Sequence, residues 1–174
     1  MQAPKPSAGD SAVRTSRQYL TFTVAGETYA FGIARIREII EYGRLTPIPM
    51  MPAFVRGVIN LRGRVLPVID LAARFGGRPG ETTRRSCIVV VEADTGSSGT
   101  TTDLGFVVDT VSEVLEIPLD RIEPAPAFGQ HLRPDFIEGM ARLNEGFVVI
   151  LDEHRVLSIP EMAQLSRLGQ GSAA

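Results

Sequence analysis

Two aspartates, Asp70 and Asp152, and two histidines, His131 and His154, are the side chains of this 174-residue chain best placed by type for acid–base or metal chemistry. Paired carboxylates work as general acid and base when their surroundings push their pKa values apart. Asp70 and Asp152 occupy equivalent positions in similar stretches, PVIDL and VVILD. Equivalent positions in two repeated units lie at symmetric and distant ends. Hydrogen bonding to nearby backbone N–H groups is therefore the better reading. His131 and His154 stand in polar, loop-like contexts, and neither has a partner at a metal-ligand spacing. There is no Gly-x-Ser-x-Gly elbow, no phosphate-binding loop and no dinucleotide fingerprint. The single cysteine, Cys87, sits in the apolar run CIVVV and reads as a buried, inert thiol. No enzyme activity, metal or cofactor is expected.

The elements that carry these residues repeat. At a constant separation of 82, Phe54 matches Phe136, Gly57 matches Gly139, Leu61 matches Leu143 and Asp70 matches Asp152. At a separation of 75, Ile36, Glu38, Ile39 and Glu41 match Val111, Glu113, Val114 and Glu116. Two matches in the same order mean a duplicated unit.

Most of each unit reads as short strands. Tyr19–Val24 alternates and turns at Ala25-Gly26 into a return strand, a hairpin pattern. Ile36, Ile39 and Ile40 fit a helical turn, while Ile36, Glu38 and Ile40 fit a strand. Pro47, Pro49 and Pro52 keep the next loop irregular. Gly57–Leu61 and Arg64–Ile69 form a hairpin around Arg62-Gly63, with Pro67 expected at an edge or bulge. Asp70–Phe75 reads as a short helix stopped by Gly76-Gly77. The second unit opens with Cys87–Glu92 and returns as Leu104–Asp109 across a low-complexity tip, 93–103. A proline-rich loop, 117–135, leads to a hairpin turning at Asn144–Gly146. Ser158 and Glu161 suit a capping box for a C-terminal helix, 158–168. Residues 1–17 and 169–174 read as flexible tails. Closing each small sheet into a barrel removes exposed edges.

Composition bounds the function. The net charge is −2 and aromatics are 6%, with no tryptophan. That balance argues against a nucleic-acid surface, although a small-barrel nucleic-acid-binding protein is the alternative from another class. No apolar run is long enough to span a bilayer, and the N-terminus lacks a signal-peptide core, so a cytoplasmic protein is expected.

The run PAFVRGVINLRGRVLPVIDL closely resembles the signature of the CheW family of bacterial chemotaxis adaptors. YLTFTVAGETYAFGI with IREII, GFVVDTVSEVLEI, and IEPAPAF extend the likeness across residues 18–167. The longer tip 93–103 is a departure. The resemblance implies a mainly β fold of two intertwined five-stranded Src-homology-3-like barrels, with short helices and a C-terminal helix. The barrels are expected at about 18–80 and 81–157. It further implies a non-enzymatic adaptor joining methyl-accepting chemoreceptors to the regulatory domain of the histidine kinase CheA, recruited to membrane-associated arrays and able to self-associate there. Receptor contacts carried over by resemblance are Ile36, Gly57, Arg62, Gly63, Cys87, Gly105, Val111 and Val114. Kinase contacts are Ile33, Glu38 and Val65. Glu38 and Arg62 can also pair with each other. A paralogue serving pilus motility or biofilm control is the nearest alternative.

Overall fold

The structure, a computed structural model, describes residues 15–77, 81–94, 101–124, 136–143, 146–152 and 155–156. His131, His154, the turn at Asn144-Glu145, the C-terminal helix at 158–168 and the final tail lie outside the described residues. Strands β1 to β11 span Ser16–Val24, Glu27–Gly32, Ile36–Glu41, Val55–Leu61, Arg64–Asp70, Cys87–Asp94, Thr101–Val108, Thr110–Pro118, Ile122–Glu123, Ile137–Leu143 and Gly146–Leu151. Tight turns of three residues, Ile33–Arg35 and Leu119–Arg121, and a short helix, Leu71–Arg74, complete the described elements.

The strands form a six-stranded sheet, β8-β1-β2-β11-β10-β9, and a five-stranded sheet, β3-β6-β7-β5-β4. The boundary near residue 80 separates the repeat units but not the sheets. The opening hairpin of the first unit, β1–β2, is completed by strands of the second unit. The opening hairpin of the second unit, β6–β7, is completed by β3, β4 and β5 of the first. Each sheet thus takes its hairpin from one unit and its remaining strands from the other.

Both sheets close by the same device. After β3 the chain holds β6 through the Tyr42 N–H on the Ser86 carbonyl (3.1 Å), then crosses to β4. There Thr46 and Val58 exchange two backbone hydrogen bonds, each 2.9 Å. After β8 the chain turns through Leu119–Arg121 and lays β9 on β10, pairing Ile122 with Ala141 and Glu123 with Met140. A glycine admits each crossing strand. A Cβ on Gly57, whose φ is +149°, would stand 2.4 Å from the Thr46 carbonyl oxygen. A Cβ on Gly139 would stand 2.5 Å from a methyl of Ile122.

Strand alternation divides the apolar residues among three cores. Tyr19, Ala30, Ile117, Ala141, Val148 and Ile150 fill the six-stranded barrel. Leu66, Val68, Ile88, Val90 and Val107 fill the five-stranded one. The largest cluster lies between the barrels and includes Leu20, Phe22, Phe31, Val89, Val91, Leu104 and Phe106. Phe31 meets Phe106 across it, with ring centroids 5.3 Å apart. The run Ile88–Val91 is apolar throughout because its even residues face a barrel interior and its odd residues face the other barrel.

Several local expectations change. Strand β1 begins at Ser16, inside the stretch 1–17 read as a tail, and pairs with β8 from there. Residues Ile36–Glu41 form strand β3, with no helical turn. The hairpin of β6 and β7 runs into the 93–103 tip, pairing Ala93 with Thr102 and Asp94 with Thr101. Pro67 lies on β5, between β4 and β7, rather than at an edge or bulge. Its partner Val58 spends both backbone hydrogen bonds on Thr46. The Val58–Pro67 pair therefore needs no bond between its members, and the missing N–H costs the β4–β5 ladder nothing.

Candidate partner-binding surface

The β4–β5 turn is a two-residue connection with positive φ at both positions, 53° at Arg62 and 84° at Gly63. That geometry suits the twist of a hairpin and is cheap only for glycine and a few polar residues. The Gly63 N–H donates to Asn60 Oδ1 at 2.9 Å, which fixes the turn. Arg62 is thereby held over β3. Its guanidinium grips both carboxylate oxygens of Glu38, one at 3.4 Å and the other through a shorter contact. Arg62 is 67% exposed and Glu38 29%, so the pair shapes a surface more than it stabilises the fold. Val65 stands partly exposed opposite Asn60 on the same hairpin. Arg62, Gly63, Glu38 and Val65 are therefore brought together.

A second group lines the junction of the barrels. Ile33, Ile36, Cys87 and Val111 are partly buried against the cluster between the sheets. Burial, and then the Glu41 carboxylate, push the Cys87 thiol above its ordinary pKa. Cys87 is partly exposed rather than buried as the apolar run suggested. Val114, farther along β8, is 49% exposed. Ile39, which matches Val114 in the repeat, is 42% exposed on β3 and was not among the expected contacts. The signal for it was present: two apolar residues at matched positions, each flanked by glutamates or their neighbours on an outer strand.

Gly57 and Gly105, also expected as receptor contacts, are buried in this chain. Gly57 admits a backbone approach, but the approaching backbone is Thr46 of the same chain. A Cβ on Gly105 would stand 2.6 Å from an Ile88 methyl and within 3.5 Å of Leu66 and Val68. Its smallness serves packing inside the five-stranded barrel.

The carboxylates that opened the question of chemistry are structural. Asp70 caps the short helix by accepting the Ala73 N–H at 3.2 Å. Its other oxygen accepts the Arg56 Nε–H at 2.9 Å, an ion pair absent from the expectations. Asp152 sits at the matched end of the other barrel beside Arg155, 3.5 Å away. Between the repeats, Arg74 lies over the rings of both Phe54 and Phe136, at 4.6 and 4.9 Å, and donates to the Val156 carbonyl at 2.6 Å. Among the described residues no group of three or more His, Cys, Asp or Glu is placed to hold a metal ion. Among them, too, no helix is long and apolar enough to cross a membrane.

A family model described as "CheW-like domain" matches residues 18–161. The chemotaxis protein CheW of Klebsiella aerogenes is 32% identical over 154 residues, covering 88% of this chain and 89% of the relative. Protein FrzA of Myxococcus xanthus is 34% identical over 119 residues, covering 67% and 69% respectively. Among solved structures, the scaffolding protein TtCheW from Thermoanaerobacter tengcongensis superposes with a TM-score of 0.73 at 32% identity, covering 83% of this chain and 90% of that one.

Proposed function

The chain belongs to the CheW-like family, and from that premise we propose that it is a chemotaxis coupling adaptor joining chemoreceptors to the histidine kinase CheA. The observation that carries this reading is the family match over nearly the whole paired-barrel fold. Adaptor work needs a rigid body that holds separate partners at fixed angles. Two barrels sharing one large core provide that rigidity. The Arg62–Glu38 pair, with Gly63 and Val65, offers a polar contact flanked by exposed backbone. Ile36, Cys87, Val111 and Val114 offer an apolar strip suited to a helical receptor tip. Ile33 lies at the kinase-facing edge of the same body. The protein works in the cytoplasm and is recruited to receptor arrays, where copies can also associate with one another.

The test is reconstitution of receptor-tip assemblies with CheA, with and without this protein, reading kinase autophosphorylation. Activation that depends on the protein is the expected result. Failure to bind either component across several receptors and kinases from the same source would overturn the reading. The similarity to FrzA is compatible with a second version, a paralogue serving another chemosensory output such as pilus motility or biofilm control. Binding without activation of the chemotaxis kinase would support that version.

A further inference from the structure

The two barrels match strand for strand, β3-β6-β7-β5-β4 against β8-β1-β2-β11-β10, so the mouth of one can be compared with the mouth of the other. Glu38 and Glu113 hold the same place, each beside a bulge in the first strand of its series. In the five-stranded barrel, arginines answer the carboxylates. Arg62 grips both oxygens of Glu38. Arg37 pairs with Glu92 and lies 3.8 Å from Asp103, and Arg64 stands 3.3 Å from Asp103. In the second repeat, Ser112, Asn144 and Gly146 stand where the first has Arg37, Arg62 and Arg64. Three guanidinium groups are gone and the carboxylate is kept. A cavity of about 330 Å³ lies at this mouth. Leu115, Leu143 and Val148, which pack in the barrel's core, form its floor. Glu113, Ser112 and Thr28 form its rim. The Thr21 hydroxyl fixes that rim, accepting the Glu113 N–H at 3.2 Å and donating to the Glu113 carbonyl at 2.9 Å. Among the described residues no cation is paired with the Glu113 carboxylate. Glu116, also at the cavity, accepts the Ser16 hydroxyl at 2.6 Å. Arg142, next to Leu143 in the chain, lies over the exposed Phe147 ring instead.

We propose that this cavity binds an arginine side chain of a partner polypeptide, which gives Glu113 the guanidinium that Arg62 gives Glu38. The matched barrel shows the pairing made within one chain, whereas here the chain keeps the acceptor and lacks the donor. A carboxylate beside two hydroxyls suits the planar fork of a guanidinium, and an apolar floor takes its methylene stem. The volume lies within the range of about 300–1,000 Å³ typical of ligand pockets. Charge points the same way. Glu113 and Glu116 are both acidic, and the sequence places Glu145 where the first repeat has Gly63. Ser112 and Glu113 are exposed, so a side chain can enter from a protein surface laid across the rim. This site goes beyond the coupling function and does not depend on it, and neither receptor nor kinase enters its test.

The experiment titrates the peptide acetyl-Gly-Arg-Gly-amide into the isotope-labelled full-length protein and follows its amide and methyl resonances. The same peptide with citrulline in place of arginine is the neutral isostere, and free L-arginine is the small-molecule control. Glu113→Gln removes the charge and keeps the shape. Ser112→Arg restores the arginine found at the matched position of the other barrel, where it competes for the carboxylate from within. Both residues are exposed, so both variants retain the fold. Saturable shifts at Thr28, Ser112, Leu143 and Val148, with affinity lower by at least about tenfold for the citrulline peptide and in both variants, are the expected result. Equal binding of the two peptides, unchanged affinity in both variants, or no saturable shift would overturn the proposal. Free arginine binding more tightly than the arginine peptide would overturn the polypeptide occupant and make the cavity a small-molecule site.

Discussion

At matched ends of the two barrels, a bulge pushes one residue out of the strand ladder. In β4 it is Arg56, between Val55 and Gly57; in β10 it is Glu138, between Ile137 and Gly139. The backbone device is the same and the side chains are of opposite charge. Arg56 folds inward, donating to Asp70 at 2.9 Å and to the Tyr42 hydroxyl at 3.1 Å, and so plugs its barrel. Glu138 lines a cavity of about 570 Å³ at the end of its barrel and stands 3.8 Å from the exposed Arg17. The duplicated backbone thus fixed where a side chain is aimed, while divergence of that side chain made one end structural and left the other open.

The sharpest test of the shared backbone is at the two closing glycines. Gly57→Ala combines a positive φ with a backbone clash, and is expected to cost about 4 kcal/mol by urea unfolding. Gly139→Ala carries no positive-φ strain but meets an Ile122 methyl at 2.5 Å and the Glu123 carbonyl oxygen at 3.0 Å, and is expected to cost less, about 2 kcal/mol. Equal losses would show that the two closures are equally tight. Next come the bulge residues. Arg56→Met removes the guanidinium from Asp70, which is 2% exposed, and is expected to cost about 3 kcal/mol. Glu138→Ala should change stability by less than about 0.5 kcal/mol. A large loss at Glu138 would erase the distinction between plugged and open ends. Arg62→Ala should lower stability by less than about 1 kcal/mol while weakening partner binding in co-sedimentation. A collapse in melting temperature would make Arg62 structural, as Arg56 is. The smallest effect is chemical. Cys87, its thiol pKa raised by burial and by Glu41, should be alkylated by iodoacetamide more slowly at pH 8 than a free thiol. Its rate should rise to a plateau at a pH above that of an ordinary thiol, and Glu41→Gln should move that midpoint down.

The repeat was legible because Phe54, Gly57 and Asp70 recur at one spacing. The hairpins were legible because Ala25-Gly26 and Arg62-Gly63 punctuate alternating runs. Which strands share a sheet was not. Alternation tells a strand which face is apolar, but Ile88–Val91 is apolar on both faces, so it carries no mark of its partner. The same uniformity hid the third core, between the barrels. The Glu38–Arg62 pair was anticipated from residue type. The Arg56–Asp70 pair was not, because a bulge determines its direction and a bulge leaves little trace in a single sequence. Gly57 and Gly105 looked like places for a partner to approach, and only packing neighbours reveal that this molecule approaches itself.

The exchange of strands between units bears on descent. A single ancestral unit would carry a hairpin like β1–β2 and three strands like β3–β5, yet in this molecule neither opening hairpin, β1–β2 nor β6–β7, is flanked by strands of its own unit. Such an ancestor would have completed its barrels only as a reciprocal dimer, each copy lending its strands to the other. Joining two such copies in one chain would replace a concentration-dependent association by an intramolecular one, and would free the two halves to differ.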